Sequence, residues 1–301
     1  MAGGQIVILN LMRSFWFLLA VLFPTSGSGA DQPAFRPLLF AAEGARKILE
    51  YDSSGQVVWE YPAEMARDVW RLPNGNTLFS YNLDYDSRKS DGVSGVMEVT
   101  RGKKVVFDFQ TTGQVFSCQR LDHGQTLIGA ASQGKLLIAD SHGRIVREIR
   151  VRNTPGHSCM RNARQIANGN FLVAEESAKA VREYDPEGQF VREFKTAFAP
   201  YSAVRLNNRN TAICGQNSIL EVDQSGREVW ALDGKELPAI GVRWFAGMQV
   251  LPGGNLLVSN AGGSVGFVEI GRDKSIVWHS GTGFPLGHGI QALDVHGIPL
   301  K

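Results

Sequence analysis

Short apolar segments, separated by residues that favour tight turns, repeat along the whole chain. Residues 71–80 show the pattern most clearly, with apolar positions on both sides of Asn74 and Gly75. An Asn-Gly pair readily adopts the positive φ angles of a two-residue hairpin, and flanking apolar residues suit half-buried strands. The segment therefore predicts a strand, a tight turn and a second strand. Variants of it occupy residues 120–127, 165–172, 205–212, 250–257 and, in a weaker form, 292–297.

A second hairpin pattern alternates with the first. Each copy is an apolar strand followed by a turn that typically has Asp at its first position and Gly near its end, as in Asp52 and Gly55. The aspartate side chain can bond to the backbone of its own turn, and glycine takes the left-handed position. The first turn positions are Asp52, Thr100, Asp140, Asp185, Asp223 and Gly271, which lie 48, 40, 45, 38 and 48 residues apart. Seven residues after them stand Trp59, Phe107, Arg147, Arg192, Trp230 and Trp278, at a position expected to pack between neighbouring sheets.

The mean spacing of about 44 residues is that of one four-stranded propeller blade. The repeat enters at residues 38–41 as the second strand of a blade and leaves at residues 289–293 as a first strand. We therefore predict an all-β fold, a six-bladed β-propeller over residues 31–301, in which strands from both ends of the chain complete one blade. Such pairing leaves no open edge between the first and last blades. The alternative is an open solenoid, which usually carries distinct caps and needs no such match.

Residues 1–30 do not fit the repeat. A single charge, Arg13, precedes the apolar run 15–23, and small residues follow up to Ala30. This is the pattern of a secretory signal, with cleavage expected after Ala30. A transmembrane anchor is the alternative, although the apolar run is short for one. We expect a periplasmic or secreted protein with no stable membrane insertion once the signal is removed.

The net charge and the cysteine content limit the partners and the cysteine chemistry that we expect. The net charge is +2, and Lys and Arg are scattered without a basic run, so we expect no nucleic-acid partner. Three cysteines are present, Cys118, Cys159 and Cys214. Two of them, Cys118 and Cys159, could pair in an exported protein, but buried free thiols are the simpler interpretation.

Chemistry is expected where the loops vary, since the hairpin turns are constrained by the repeat. Alignment of the blades places polar and aromatic residues around one mouth of the axial channel, as in a small-ligand site. Three arginines suggest a carboxylate, sulfate or phosphate on the ligand, and buried histidines could act in acid-base chemistry. The predicted mouth residues are Arg67, Asp68, His157, Arg161, Asn162, Tyr201, Arg243, Trp244 and His288.

The sequence also allows two metal sites as alternatives to a small-ligand site. Glu43, Glu175, His157 and His288 could bind a transition metal only if the fold brought them together, because none has a ligand-like local spacing. The acidic residues of the loop 82–92 could bind Ca²⁺, but two basic residues in that loop oppose a cation. We predict no metal and no cofactor.

The repeat resembles a known group of proteins. Residues 48–61, followed by residues 71–78, are similar to the PQQ-like and arylsulfotransferase-like bacterial β-propeller repeats. The quinoprotein dehydrogenases of that group often hold PQQ beside adjacent cysteines, and no two cysteines are adjacent here, so no PQQ is expected. In arylsulfate sulfotransferases, histidines act with an Arg and an Asn at the channel mouth, and one histidine accepts the sulfuryl group. The resemblance therefore implies such roles for His157, Arg161, Asn162 and His288.

The function expected from the sequence is that of a binding propeller. Its site at the channel mouth would take a small anionic or sugar-like ligand, or a protein partner, through Arg67, Asp68, Asn162, Tyr201, Arg243 and Trp244. The alternative is an enzyme of the transferase type, similar to arylsulfotransferases, or of the lyase or hydrolase type, with His157, His288 and Arg161 as catalytic residues. A scaffold without any small ligand is a third possibility.

Overall fold

The computed structural model describes residues 34–83 and 91–300, which form six four-stranded antiparallel sheets. The first blade contains β24 (Ile290–Ala292), β1 (Leu38–Ala42), β2 (Lys47–Tyr51) and β3 (Val57–Pro62), from the axis outward. The second and third contain β4 (Val69–Arg71), β5 (Thr77–Asn82), β6 (Val93–Val99) and β7 (Val105–Thr112), then β8 (Val115–Arg120), β9 (Thr126–Ala130), β10 (Lys135–Ala139) and β11 (Ile145–Arg150). The fourth and fifth contain β12 (Asn162–Gln165), β13 (Phe171–Glu175), β14 (Ala180–Tyr184) and β15 (Phe190–Lys195), then β16 (Ser202–Arg205), β17 (Thr211–Gly215), β18 (Ser218–Val222) and β19 (Glu228–Asp233). The sixth contains β20 (Phe245–Val250), β21 (Leu256–Asn260), β22 (Phe267–Ile270) and β23 (Ile276–His279).

The predicted six-bladed β-propeller is confirmed, including its closure. Strand β24 pairs antiparallel with β1, so that Leu39 faces Gln291 and Phe40 faces Ile290. Helical structure in the described part of the chain is limited to 3-10 turns at Glu43–Ala45, Asp122–Gly124, Ala131–Gln133 and Gly234–Glu236. None of these helices is long and apolar enough to span a membrane. The predicted signal segment, residues 1–30, lies outside the described residues.

Both hairpin patterns form the turns that their residues predict. In the inner hairpin of the second blade, Gly75 has a φ of +82°, and Asn74 Oδ1 accepts a bond from the backbone of Asn76 at 3.0 Å. In the outer hairpins, the aspartate carboxylate accepts backbone bonds from within its own turn, as Asp52 does from Ser54 and Gln56. The short polar side chains thus satisfy turn amides that have no strand partner.

Apolar side chains fill the gaps between blades. Six clusters of buried residues each combine side chains of two adjacent blades, among the residues the structure describes. The position seven residues beyond each outer turn contributes as predicted: Trp59 and Trp230 are buried or half-buried, and their indole nitrogens donate to the next blade, to the carbonyls of Arg101 and Arg272. Arg147 makes the corresponding bond to the carbonyl of Pro186. The core of this fold therefore lies between the blades rather than on the axis.

A circle of buried ion pairs also links the blades, and we call it the charge belt. Five of the six third strands carry a buried glutamate two residues before the turn, and an arginine of the next blade binds each one. The pairs are Glu50 with Arg71 and Arg101, Glu98 with Arg120, Glu183 with Arg205, Glu221 with Arg272, and Glu269 with Arg36. Asparagines of the inner hairpins bind four of these glutamates as well, for example Asn76 to Glu98 at 2.6 Å.

The gap between the third and fourth blades lacks this pair. Ile138 occupies the glutamate position, and Gln165 occupies the arginine position on the next inner strand. Both positions of the pair are therefore uncharged. No charge is buried there without its partner, an arrangement that would be strongly destabilising. The belt was not predicted from the sequence.

All three cysteines are buried free thiols, as the simpler interpretation held. Burial raises the pKa of the Cys159 and Cys214 thiols to about 12 and that of the Cys118 thiol well above its usual value. They act as small apolar side chains in the core and are poor nucleophiles.

Candidate functional site

The six inner strands begin at one mouth of the channel, and equivalent positions of the six blades meet there. These positions hold Arg67, Phe116, Arg161, Tyr201, Ala246 and His288, all of them buried. Two carboxylates from the ends of second strands join them, Glu43 from the first blade and Glu176 from the fourth. We refer to Arg67, Phe116, Arg161, Tyr201, His288, Glu43 and Glu176 as the mouth cluster. Alignment of the blades alone had placed four of these side chains together.

One half of the mouth cluster surrounds His288. Its Nε2 lies 2.6 Å from Glu43 Oε2 and 2.7 Å from Nη1 of Arg67, while Nε of Arg67 lies 3.0 Å from the same carboxylate oxygen. Nε2 donates to Glu43 in one tautomer of the neutral ring and accepts from Arg67 in the other. Nδ1 is buried and has no partner among the described residues.

The other half of the mouth cluster surrounds Arg161. Nη2 of Arg161 binds Glu176 at 2.5 Å, and the guanidinium lies 5.1 Å from the ring centre of Phe116 and 5.8 Å from that of Tyr201. Its Nε and Nη1 are buried and have no hydrogen-bond partner among the described residues. The ring of Trp244 packs edge-on against Tyr201 at 6.4 Å. Its indole nitrogen is also buried and without a hydrogen-bond partner among the described residues. Three buried donor nitrogens on two side chains around Tyr201 therefore lack an acceptor among the described residues.

Electrostatics make both predicted histidines neutral at neutral pH. Burial, reinforced by the Arg67 charge, lowers the pKa of His288 to about 4. Burial, reinforced by the Arg161 charge, lowers the pKa of His157 to about 4 as well. Burial alone would raise the pKa of Glu43, but the hydrogen bond from His288 and the Arg67 charge outweigh it, so this pKa lies below its usual value. Two arginines thus face two carboxylates, and the cluster has unpaired donors rather than an excess of positive charge.

The remaining predicted residues take different positions. His157 is half-buried beside the cluster, packs edge-on against Phe116 and has Nδ1 at 3.0 Å from Gln114 Oε1. Arg243 is exposed, and Trp244 is half-buried. Asp68 is committed to the channel wall, since its carboxylate binds Arg164 through two bonds, of 2.7 and 2.8 Å, and accepts the amide of Cys118. Asp68 is therefore a structural residue.

The channel itself is a cavity of about 1760 Å³ that opens on the other side of the ring. Arg67, Asp68, Asn162 and Tyr201 line its inner end, whereas residues of the inner hairpin turns, among them Asn168 and Arg209, line its outer end. His157, Arg161, Arg243, Trp244 and His288 do not line it. The nine predicted residues are thus divided between the cavity and the mouth beyond it.

A metal at the mouth would need more ligands than the fold assembles. Glu43 and His288 are in contact, but Glu175 points elsewhere, binding Arg182 and Tyr184. In the described part of the chain, no group of three or more His, Cys, Asp or Glu side chains is placed to hold a metal ion. Of the acidic calcium-loop candidates, Asp84 and Asp86 lie outside the described residues.

Sequence reasoning considered Glu43 only as a candidate metal ligand with His288, and it gave no role to Phe116 or Glu176. Glu43 and Glu176 are equivalent in the repeat, since both follow a second strand whose first residue faces a tyrosine, Tyr51 or Tyr184. Alignment of the second strands, and not only of the inner strands, would have found them. Phe116 stands at the same inner-strand position as Arg67 and Arg161, and the same alignment of inner strands contained it.

No protein-family model and no curated protein sequence matches this chain. Solved structures do resemble it. A Bacteroides caccae protein of unknown function has a TM-score of 0.73 and 22% identity, over 89% of this chain and 100% of that one. A streptogramin B lyase has a TM-score of 0.61 and 12% identity, over 87% and 91%. An inactive histidine-to-alanine variant of virginiamycin B lyase from Staphylococcus aureus, with quinupristin, has a TM-score of 0.57 and 13% identity, over 85% and 86%. At these identities the similarity establishes the β-propeller fold alone.

Proposed function

We propose that this protein is a binding propeller whose mouth cluster holds a small molecule through an acidic group, a carboxylate, sulfate or phosphate. The observation that carries the proposal is Arg161, a buried guanidinium with two nitrogens that have no acceptor among the described residues. A buried donor without a partner costs about 1–3 kcal/mol. No contact among the described residues compensates for this cost at Arg161. An anionic ligand between Arg161 and the Trp244 indole would remove it.

The geometry also suits binding at this place. The Arg161 guanidinium lies against the rings of Phe116 and Tyr201, and its Nη2 is bound by Glu176, which fixes its orientation. Its Nε and Nη1 are on different edges of the planar group, so each can donate one charge-assisted bond to a carboxylate, sulfate or phosphate. The site is therefore preorganised, and little side-chain entropy would be lost on binding.

Replacing Arg161 by glutamine should weaken the binding of such a ligand. Thermal-shift screening with organic acids, sulfate esters and phosphate monoesters would find the wild-type ligand, and calorimetry would give its affinity. Loss of a charge-assisted bond predicts an affinity at least about tenfold lower in the R161Q variant.

The matched control is Arg120→Gln. Arg120 is a belt arginine away from the mouth, so this variant should lose stability and keep the ligand affinity. An R161Q variant that binds with wild-type affinity, or a screen without any stabilising acid, would contradict the proposal.

A second candidate function, that of an enzyme, rests on His288. Its Nδ1 is buried and has no partner among the described residues, and Glu43 and Arg67 contact Nε2. In the tautomer that carries the proton on Nε2, this is the arrangement a general base needs. Two of the similar structures are lyases, and in one of them a histidine-to-alanine variant is catalytically inactive. A lyase activity is favoured by these observations, while the transferase interpretation rests only on the sequence resemblance.

Quinupristin is a direct probe of the lyase interpretation. The enzyme should convert it to a product of altered retention in liquid chromatography, and H288A should lower that rate at least about a hundredfold. His142, an exposed histidine in an outer turn, provides the control variant H142A, which should keep the full rate. Conversion by H288A at the wild-type rate would exclude His288 as the base, and no conversion by the wild type would exclude this substrate.

We also propose that the protein is exported. The charged, apolar and small-residue segments of residues 1–30 support this, and the mass of protein recovered from an exporting host should correspond to a chain that begins at Asp31. Cytoplasmic retention of the full-length chain would contradict it.

A further inference from the structure

One inner hairpin departs from the repeat at the open end of the channel. Five of the six inner turns have glycine at their left-handed position: Gly75, Gly124, Gly169, Gly254 and Gly297. The fifth blade has Arg209 there, with a φ of +69°. An L-residue with a side chain pays about 1 kcal/mol or more for this conformation.

The cost is not explained by packing. Arg209 is exposed, and its guanidinium has no hydrogen bond or ion pair among the described residues. Lys103 and Lys274 take the same conformation in outer hairpins, with φ of +66° and +68°, but neither lines the channel cavity. Arg209 does line the channel cavity, at its rim. Arg209 thus places a positive charge at the channel opening, although its left-handed backbone conformation destabilises the turn.

Further arginines extend the positive charge around Arg209. Arg192 and Arg205 both line the cavity and share one carboxylate, that of Glu183, at 3.3 and 2.7 Å. Together with Arg209, three arginines face one glutamate on this side of the opening. Glu50 also binds two arginines, Arg71 and Arg101, but only Arg71 of these lines the cavity.

The wall below the arginines is largely apolar. Val204 and Leu206 continue from the fifth blade, and Met248, Val250 and Leu251 face them from the sixth. The cavity of about 1760 Å³ is larger than a single small anion needs. It offers a cationic rim and, next to it, an apolar wall between the fifth and sixth blades, whereas polar residues such as Arg67 and Asp68 line its inner end. The rim and this wall together are the complement of a molecule that has an acidic head and a hydrocarbon body.

We infer that the open end of the channel is a second binding site, for an organic anion that places a carboxylate or phosphate on Arg209 and Arg192 and an apolar chain against Val204, Leu206 and Met248. The site lies at the opposite end of the channel from the mouth cluster. It does not depend on the function proposed there.

Octyl phosphate is a suitable probe, compared by calorimetry with octanol, butyl phosphate and inorganic phosphate. Octyl phosphate should bind most tightly, because each buried methylene contributes up to about a fourfold gain in affinity. The decisive variant is Arg209→Gly, which restores the residue that the repeat prefers. It should bind octyl phosphate about tenfold more weakly while melting at or above the wild-type temperature.

Two controls make the result specific. Lys103→Gly removes one positive charge and the same backbone strain away from the cavity, and it should leave binding unchanged. R161Q separates this site from the mouth cluster, which is itself proposed to take phosphate monoesters: because Arg161 lies outside the cavity, R161Q should still bind octyl phosphate at the open end. Equal affinity of R209G and wild type, equal affinity for octanol and octyl phosphate, no binding by the wild type, or a loss in R161Q instead of R209G would each overturn the inference.

Discussion

Replacing Glu98 by isoleucine should lower the free energy of unfolding by about 3 kcal/mol, even though a large apolar side chain then enters a buried position. The reason is the partner that remains. Arg120 would keep its bonds to the Gly124 carbonyl and the Thr126 hydroxyl but would lose the carboxylate that neutralises it. Removing one member of a buried pair leaves an uncompensated charge, and this costs more than the pair contributed.

Adding Arg120→Gln to that variant should recover part of the loss. The E98I/R120Q double variant reproduces the pair that the chain itself uses between the third and fourth blades, Ile138 with Gln165. Recovery will be incomplete because Asn76 donates to Glu98 and would stay without that acceptor. Urea unfolding of the wild type, both single variants and the double variant should give a coupling energy of about 1–3 kcal/mol.

The control for this cycle is Glu148→Ile. Glu148 lies in an outer strand and pairs with Lys135 at 2.6 Å, but both side chains are partly exposed, so the change should cost less than about 1 kcal/mol. If E98I costs no more than E148I, or if the two belt substitutions simply add, the ion pairs of the belt are not coupled across the blades.

The charge belt could not be predicted from the local chemistry of the turns. The hairpins could be predicted because Asn74 and Gly75, or Asp52 and Gly55, specify a turn within four residues of sequence. Glu50 and its equivalents stand two residues before those turns, so their recurrence was visible. Their arginines lie on the next blade, and nothing local connects the two. Only the pairing of one blade with the next brings Glu50 and Arg71 together.

The candidate site was predictable to the same extent. Equal spacing from the inner turns brings Arg67, Arg161, Tyr201 and His288 to one level of the channel, because a six-fold repeat converts sequence position into height along the axis. The partners that decide their chemistry come from other strands. Burial and the Arg67 charge keep His288 neutral, Glu43 contacts its Nε2, and the lack of an acceptor at Arg161 depends on the side chains packed around it.

Closure of the ring should be the feature most sensitive to deletion. A chain that ends at Gly289 retains His288 but lacks β24, and it should lose the cooperative fold. Without β24, the pairing edge of β1 and the buried side chains Leu38, Leu39 and Phe40 lose one of their neighbours. Each of these side chains contributes about 1.5–3 kcal/mol when fully buried, so even partial exposure of all three takes a large share of a total stability of about 5–15 kcal/mol.

A chain that ends at Leu293 is the informative comparison, because it keeps β24 and removes only the terminal turn and tail. It should remain a folded monomer with a lower midpoint, since it loses the bond between Gln249 and the Leu300 carbonyl and the packing of Leu300. Circular dichroism melts and size-exclusion chromatography of both truncations test this. A cooperative melt of the Gly289-ending chain close to that of the Leu293-ending chain would show that packing between blades, rather than the pairing of β24 with β1, holds the ring closed. In that case the open edge of β1 should still reveal itself as concentration-dependent association, because an unpaired strand edge recruits another chain.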